Sequence, residues 1–281
     1  MPINILCIGD VVGRPGRSVL AEHLKGLIAQ HNVELVVANG ENSAGGSGMT
    51  ASIFKKLLAF GVDVVTLGDH VYRKREIIRT LETSDRIIRP ANLAAPAVGK
   101  RWTVVPTKSG SWQVGVACVL GQMYMGSWDM PWAAIDKALA EMPPEVKVRV
   151  VEFHAEASSE KIAMGWYLNG RASVVFGTHT HIATADGRVL DKGTAYVSDL
   201  GMTGPHDGVL GRRKDRVLAA MTTSMPHFFE VATGDIRLLG ALVSVNPDTG
   251  KALSIQRIEI CGSAIRGGPY DADDGRPTKN E

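Results

Sequence analysis

The sequence predicts an α/β fold built around largely parallel strands, and three observations support this prediction. Short β-branched runs alternate with amphipathic segments of helical spacing through the first half of the chain. The β-branched runs are continuous enough to be buried on both faces, as the strands of parallel sheets are. The order strand, helix, strand, helix, strand favours right-handed βαβ units.

The first part of the chain contains three predicted strands and two predicted helices. The strands cover Ile3–Gly9, Val33–Asn39 and Val62–Leu67, and the helices cover Ser18–Gln30 and Ala51–Phe60. Thr50 precedes the second helix, where its hydroxyl can accept a hydrogen bond from the first turn, so we predict it as the N-cap.

The rest of the chain continues this alternation and then changes to an antiparallel pattern. Further strands are predicted at Gln113–Leu120, Val146–Phe153, Ala172–Phe176 and Ala195–Val197, with helices at Trp132–Met142 and Ser159–Leu168. Ile236–Val245, a Pro-Asp-Thr-Gly turn and Ala252–Ile260 predict a long hairpin. We expect one domain over residues 1–266. Residues 267–281 are rich in Gly, Pro and charge, which predicts a disordered tail.

Composition argues against several classes of protein. The 281 residues are 44% hydrophobic and 21% charged, as in ordinary globular domains. The 31 Lys+Arg nearly balance the 29 Asp+Glu, so no stable complex with nucleic acid is expected. No apolar run reaches the roughly 18–20 residues of a membrane helix, so no association with a membrane is expected.

The cellular address is predicted from the N-terminus and the cysteines. The first ten residues, MPINILCIGD, lack the basic region of a secretory signal. Cys7 and Cys118 lie in apolar runs, where a buried reduced thiol is usual. We therefore expect a cytoplasmic protein. A homo-oligomer is compatible with the sequence.

Polar side chains follow most of the predicted strands, at the point where each strand ends. They are Asp10, Glu41, Asn42, Asp69, His70, His154, His179, His181 and Asp199. In an open α/β sheet, ligands bind in the crevice beyond the carboxyl ends of the strands. We therefore expect these residues, although far apart in the chain, to meet at one rim.

The residue types at this rim predict a metal centre. Carboxylates, an amide oxygen and imidazoles suit Mn, Fe or Zn, and the lack of nearby cysteine argues against a structural zinc site. Two ions roughly 3.5–4 Å apart would need about six to eight ligands, which the candidates can supply. A single Gly-Asp pair after a strand is usually a turn, and a lone histidine such as His154 can be a core residue. The prediction therefore depends on the coincidence of several strand ends. His23, His31 and His227 are interpreted as structural or solvated.

Seven segments also resemble a known family. They are Ile8–Gly16 (IGDVVGRPG), Asn39–Asn42 (NGEN), Arg89–Asn92 (RPAN), Phe153–Ala157 (FHAEA), Gly165–Tyr167 (GWY), Gly177–His181 (GTHTH) and Gly201–Pro205 (GMTGP). With these motifs in this order, the chain resembles the YmdB-like metallophosphoesterases, a branch of the calcineurin-like phosphoesterase superfamily. The resemblance implies a calcineurin-like sandwich of largely parallel central sheets flanked by helices, with a C-terminal antiparallel hairpin.

The resemblance also implies a site and an activity. Asp10, Glu41, Asn42 and His181 would hold a first metal ion, and Glu41 would bridge to a second. Asp69, His154 and His179 would complete the second site, and His70 would be the catalytic residue. The ions would be divalent or trivalent, with iron expected before manganese and zinc compatible. The expected activity is hydrolysis of small-molecule phosphodiesters, including cyclic nucleotides such as 2′,3′-cyclic AMP, by water or hydroxide activated at the two ions.

One position departs from the family pattern, which usually has Gly-Asn-His where this chain has Gly68-Asp69-His70. Aspartate can ligate through the same oxygen but adds a negative charge, which favours harder or higher-valent ions. Arg14, Arg212 and Arg213 are candidates for binding substrate phosphate, and an exposed solubilising role suits them equally.

Three other functions are weaker alternatives. A metal- or nucleotide-binding sensor with little turnover would have the same ligands but no need of His70. A dinucleotide oxidoreductase would need Gly-x-Gly-x-x-Gly after the first strand, where the chain has Gly9–Gly13 (GDVVG). A serine hydrolase would need a Gly-x-Ser-x-Gly elbow, which the sequence lacks.

Overall fold

The structure, a computed structural model, describes residues 1–265 and 268–274. The strands of this part are β1 (Ile3–Ile8), β2 (Asp10–Val11), β3 (Val33–Asn39), β4 (Val64–Thr66), β5 (Ile87–Ile88), β6 (Trp102–Pro106), β7 (Gln113–Leu120), β8 (Val148–His154), β9 (Val174–Thr178), β10 (Arg188–Val189), β11 (Ala195–Val197), β12 (Met202–Pro205), β13 (Ile236–Val245) and β14 (Ala252–Cys261). The helices are α1 (Gly13–Gln30), α2 (Ala51–Phe60), α3 (Ile77–Thr83), α4 (Pro131–Glu141), α5 (Ser158–Tyr167) and α6 (Lys214–Thr223), with a 3₁₀ turn at Ala272–Asp274.

The described strands form two sheets. The first has the order β2-β12-β13-β1-β3-β4-β5, with β14 added beside β13, and the second has the order β10-β11-β9-β8-β7-β6. In the first sheet β1, β3, β4 and β5 are parallel to one another, and in the second β7, β8, β9 and β11 are parallel. The predicted α/β class with largely parallel sheets is confirmed. The predicted hairpin is confirmed as β13 and β14, and β13 also pairs antiparallel with β1.

The sheets pack face to face, with helices on both outer faces. Side chains of β1 alternate: Ile5 and Cys7 pack in the core between the sheets, whereas Leu6 and Ile8 pack toward α1 and α2. A third cluster joins the outer face of the second sheet to α4 and α5. Because strands have period two, continuous apolar runs such as β1 can fill two cores at once.

Helix boundaries follow local rules that the sequence only partly reveals. Thr50 is the N-cap of α2, since its Oγ1 accepts from the Ile53 N–H at 3.3 Å, as predicted. The helix ends at Gly61, whose left-handed φ of 119° is a conformation that glycine adopts without strain. Helix α1 begins at Gly13 rather than at Ser18. Pro15 is tolerated there because the first-turn N–H groups lack intrahelical partners anyway. No helix in the described ranges is both long and apolar enough to cross a membrane.

Residues 268–274 pack against the folded part of the chain. Asp271 and Asp274 each lie 2.7 Å from the guanidinium of buried Arg17, and Asp274 also accepts from the Gly45 N–H at 2.8 Å. Part of the predicted disordered tail therefore makes specific contacts with the loop that follows β3. The prediction for residues 267 and 275–281 lies outside the described residues.

Removing the carboxylate of Asp274, which pairs with the buried Arg17, should destabilise the fold. The Arg17 side chain is 4% exposed, so Asp274→Ala leaves a buried charge with less compensation. We expect the free energy of unfolding to fall by about 3 kcal/mol in urea titrations. Asp273→Ala is the matched control, because Asp273 pairs with the exposed Lys56 and should cost less than about 1 kcal/mol. Equal losses for both variants would contradict the assignment.

Candidate metal centre

The carboxyl ends of strands from both sheets meet at one rim and bring the predicted site residues together. Asp10 follows β1, Glu41 and Asn42 follow β3, and Asp69 and His70 follow β4. From the second sheet, His154 ends β8, while His179 and His181 follow β9. All eight predicted residues therefore come from strand ends that face one another across the sandwich.

Four of these residues form a compact group of donors. Glu41, Asp69, His154 and His179 each offer an atom that lies within 4.8 Å of the others. Nε2 of His154 is 3.1 Å from Oε1 of Glu41, from Oδ1 of Asp69 and from Nδ1 of His179. A mixed set of carboxylates and imidazoles suits a transition-metal ion.

Charge at His154 supports a cation at this point. Burial lowers its pKa, but the charge of Glu41 and hydrogen bonds to Asp69, Glu152 and Glu41 raise it well above the ordinary value. The surrounding carboxylates therefore favour a positive charge near Nε2. A proton is the smallest cation that can supply it, and a metal ion would displace that proton.

Asp10 lies at the other side of the group, beside His181. Its Oδ1 is buried, is 3.9 Å from Nε2 of His181 and finds no hydrogen-bond partner among the described residues. Burial raises the pKa of Asp10 well above its ordinary value, although the nearby His154 acts in the opposite direction. A buried carboxylate oxygen without a partner is unfavourable unless a cation compensates it. This orphaned atom fits a second metal position.

Gly68 leaves room for the donor atoms. A Cβ at this position would lie 2.3 Å from both Oε2 of Glu41 and Nε2 of His154. Any side chain would therefore displace two candidate ligands. Together with the orphaned Asp10 oxygen, this gap indicates that the residues present fit a metal centre.

Asn42 contacts both the four-residue donor group, through Glu41, and the pair of Asp10 and His181, through His181. It also contacts His70. Its Oδ1 is 2.8 Å from Nδ1 of His70, and its Nδ2 is 3.1 Å from Nε2 of His181 and 3.3 Å from Oε1 of Glu41. Ligation through the amide oxygen would need the amide turned by 180°, so that Oδ1 faces Glu41 and His181. The two amide orientations have nearly the same shape, so such a turn needs no repacking.

Three buried residues that the sequence analysis missed hold the ring of His154. Nδ1 of His154 lies 2.8 Å from the Thr178 hydroxyl, which donates to Oε1 of Glu152 at 2.5 Å. Asn39 donates to the same carboxylate oxygen at 2.5 Å. Since the hydroxyl proton is directed at Glu152, Thr178 accepts from Nδ1–H, which directs Nε2 toward the candidate metal. The signal in the sequence was Glu152 itself, a charge in an apolar strand and on the same face as His154.

The loop after β9 is held in an unusual conformation. His179 and His181 have left-handed φ values of 92° and 64°, which are uncommon for residues with a side chain. Between them, Thr180 donates its N–H and hydroxyl to Oδ2 of Asp199, at 3.2 and 2.7 Å. Buried Lys161 donates to the same oxygen at 2.6 Å. Asp199, noted at a predicted strand end, therefore positions the loop.

The two loop histidines are in the form that binds metals. Nδ1–H of His181 donates to the Leu210 carbonyl at 3.1 Å, which leaves Nε2 as an acceptor facing Asp10. Burial lowers the pKa of His181, and burial together with the charge of His154 lowers the pKa of His179 to about 4. Neutral imidazoles are the ligand form.

The three candidate arginines bind groups of the protein itself. Arg212 donates to the carbonyls of Gly45, Gly46 and Phe229 at 2.5–3.2 Å. Arg213 pairs at the surface with two carboxylates, and Arg14 donates to a backbone carbonyl at 2.8 Å. Arg212 therefore joins the loop after Glu41 and Asn42 to the chain around Phe229, instead of extending into solvent.

The chain is similar to known proteins over most of its length. The family described as YmdB-like protein matches residues 6–258. A 2′,3′-cyclic-nucleotide 2′-phosphodiesterase of Bacillus subtilis is 40% identical over 258 residues, which cover 92% of this chain and 97% of that protein.

Two solved structures are also similar. A hypothetical protein from Thermus thermophilus has a TM-score of 0.86 and 34% identity, and the match covers 93% of this chain and all of that one. A novel phosphatase from Mycoplasma pneumoniae has a TM-score of 0.86 and 27% identity, covering 93% and 94%. The predicted fold is confirmed by these neighbours.

Thr178 provides a test of how His154 is held. Thr178→Val removes the hydroxyl but keeps the shape, so Nδ1 of His154 loses its acceptor and Glu152 loses a donor. We expect the affinity of the metal-free protein for Mn²⁺ to fall about 10- to 100-fold in calorimetric titrations. Thr178→Ser retains the hydroxyl and should stay near the original affinity. If valine and serine at this position gave the same affinity, the hydroxyl would not orient the ligand.

Proposed function

The chain belongs to the YmdB-like family, and from this premise we propose that it is a metal-dependent phosphodiesterase acting on cyclic nucleotides such as 2′,3′-cyclic AMP. The observation that carries the proposal is the donor group of Glu41, Asp69, His154 and His179 within 4.8 Å. The name of the Bacillus subtilis relative supports the substrate class.

The proposed ligands divide into two sets that share one carboxylate. Asp10, Asn42 and His181 would hold the first ion with Glu41, and Asp69, His154 and His179 would hold the second with Glu41. Glu41 is suited to contact both ions because its Oε1 lies 3.1 Å from Nε2 of His154 and 3.3 Å from Nδ2 of Asn42, one member of each set. Bound ions would supply an activated water and charge stabilisation for the phosphoryl oxygens. The oxygen-rich donor set favours iron or manganese, with zinc also compatible.

His70 is proposed to be the proton donor to the leaving group. The group that transfers a proton is the imidazolium, since a neutral ring would have to become an imidazolate. In hydrolysis the bond between phosphorus and the leaving oxygen breaks, Nε2–H of the imidazolium gives its proton to that oxygen, and neutral imidazole remains. The ring is about a quarter exposed, so a substrate can reach it.

His70→Ala separates an enzyme from a sensor. We expect both metals to be retained and turnover of a nucleoside 2′,3′-cyclic phosphate to fall by roughly two to four orders of magnitude, the usual contribution of a positioned proton donor. An activated aryl diester should lose much less, because its leaving group needs little protonation. The measurements are metal content and steady-state kinetics on both substrates.

Two control variants show whether the loss of turnover in His70→Ala comes from the missing proton donor. His70→Gln can hydrogen-bond to Asn42 but cannot transfer a proton, so it should lose activity as alanine does. His31→Ala, at the end of α1 and outside the site, should have no effect. Undiminished turnover of the cyclic phosphate by His70→Ala would refute the proton donor, and loss of metal would make His70 a ligand. A metal-loaded original protein without turnover of either ester would support the sensor.

A further inference from the structure

A cavity of about 530 Å³ opens beside His70. It lies between His70, the loop after β3 and the segment after α6, and Arg73, His227, Phe228 and Phe229 also line it. Its volume lies in the range of about 300–1,000 Å³ that small-molecule sites occupy. His227, interpreted from the sequence as structural or solvated, is therefore one of the residues that line the cavity.

Two aromatic rings give the cavity an apolar wall. Phe228 is 54% exposed and Phe229 39% exposed, although side chains of this size usually avoid water. Arg212 donates to the carbonyls of Phe229 and Gly46 at 3.0 and 2.5 Å. These bonds hold the two phenylalanines beside the loop after β3, which carries the proposed ligands Glu41 and Asn42. Partly exposed phenylalanine rings beside a catalytic group can stack on a planar base.

The charge of the cavity lining favours an anionic ligand. Arg73 lines the cavity and is exposed, and within the described part of the chain its guanidinium makes no hydrogen bond or ion pair. No carboxylate occurs among the described residues that line the cavity, although Asp69 lies 3.6 Å from Nε2 of His70 at its edge. An anionic substrate is therefore favoured in the part of the cavity around Arg73.

We propose that this cavity is the nucleoside subsite, in which the base of a nucleotide stacks on Phe228 and Phe229 while Arg73 attracts the phosphate charge. The subsite rests on the proposed function, because it places the ester at His70. It adds a determinant of specificity that the metal ligands cannot provide, since ions bind the phosphoryl group of any ester alike. Esters that carry a base should therefore be preferred to esters that do not.

The test compares two substrates with the same reacting ring. These are adenosine 2′,3′-cyclic phosphate and methyl riboside 2′,3′-cyclic phosphate, which lacks the base. In the Mn²⁺-loaded protein, Phe228→Ala and Phe229→Ala should lower kcat/KM for the adenosine ester about 5- to 100-fold through KM, the range of one base stack. The base-free ester should be unaffected. Phe228→Tyr keeps the ring and should retain the preference. Met221→Ala is the control, an exposed apolar residue of α6 that does not line the cavity.

Measuring the binding of adenosine monophosphate tests the subsite independently of turnover. Calorimetry should show weaker binding of adenosine monophosphate to both alanine variants and unchanged binding of inorganic phosphate. If the original protein hydrolysed neither ester, the proposed function would fail, and the monophosphate titrations would still decide the subsite. Equal losses of kcat/KM on both esters, or an unchanged preference for the adenosine ester, would overturn the proposed subsite. It would also be overturned if the alanine variants changed only the oligomeric state, because the two rings would then form an interface between copies of the chain.

Discussion

The burial of several carboxylates in one small volume is the constraint on which the rest of this structure depends. Asp10, Glu41 and Glu152 are all buried at the same rim, and Asp69 is only partly exposed. Two like charges 4 Å apart repel by about 4 kcal/mol at an effective dielectric constant of 20. Imidazoles and amides reduce this repulsion but do not remove it, because Asp10 keeps an oxygen without a partner. Bound cations would offset this repulsion, which is the physical basis of the proposed metal centre.

The two-sheet architecture makes this concentration of charge feasible. Parallel strands end at one edge, so β1, β3 and β4 bring three carboxylates, while β8 and β9 bring imidazoles from the facing sheet. Two of these imidazoles donate their Nδ1–H away from the site, His154 to Thr178 and His181 to the Leu210 carbonyl. Both contacts fix the tautomer, so Nε2 of each ring faces the candidate metal centre.

Much of this arrangement could be predicted from the sequence, and the remainder could not be, for physical reasons. Buried strands and the polar residues at their ends follow from local patterns, so the sequence identifies the candidate ligands. Their proximity follows from the rule that parallel strands end at one edge of a sheet. The insertion of β13 beside β1 depends on pairing across more than 200 residues, which no local pattern specifies. The cavity at Phe228 and Phe229 depends on Arg212 holding distant loops together, and the contacts of residues 268–274 depend on Arg17.

We propose that the chain holds two metal ions at this rim, and metal stoichiometry is the direct test of that number. Protein purified without chelators would be examined by elemental analysis, stripped of metal, and titrated with Mn²⁺ while circular dichroism confirms its fold. We expect close to two transition-metal ions per chain as purified, and two regained on titration. A folded protein that contains no metal and takes up none would refute the metal centre, and one ion per chain would refute the shared role of Glu41.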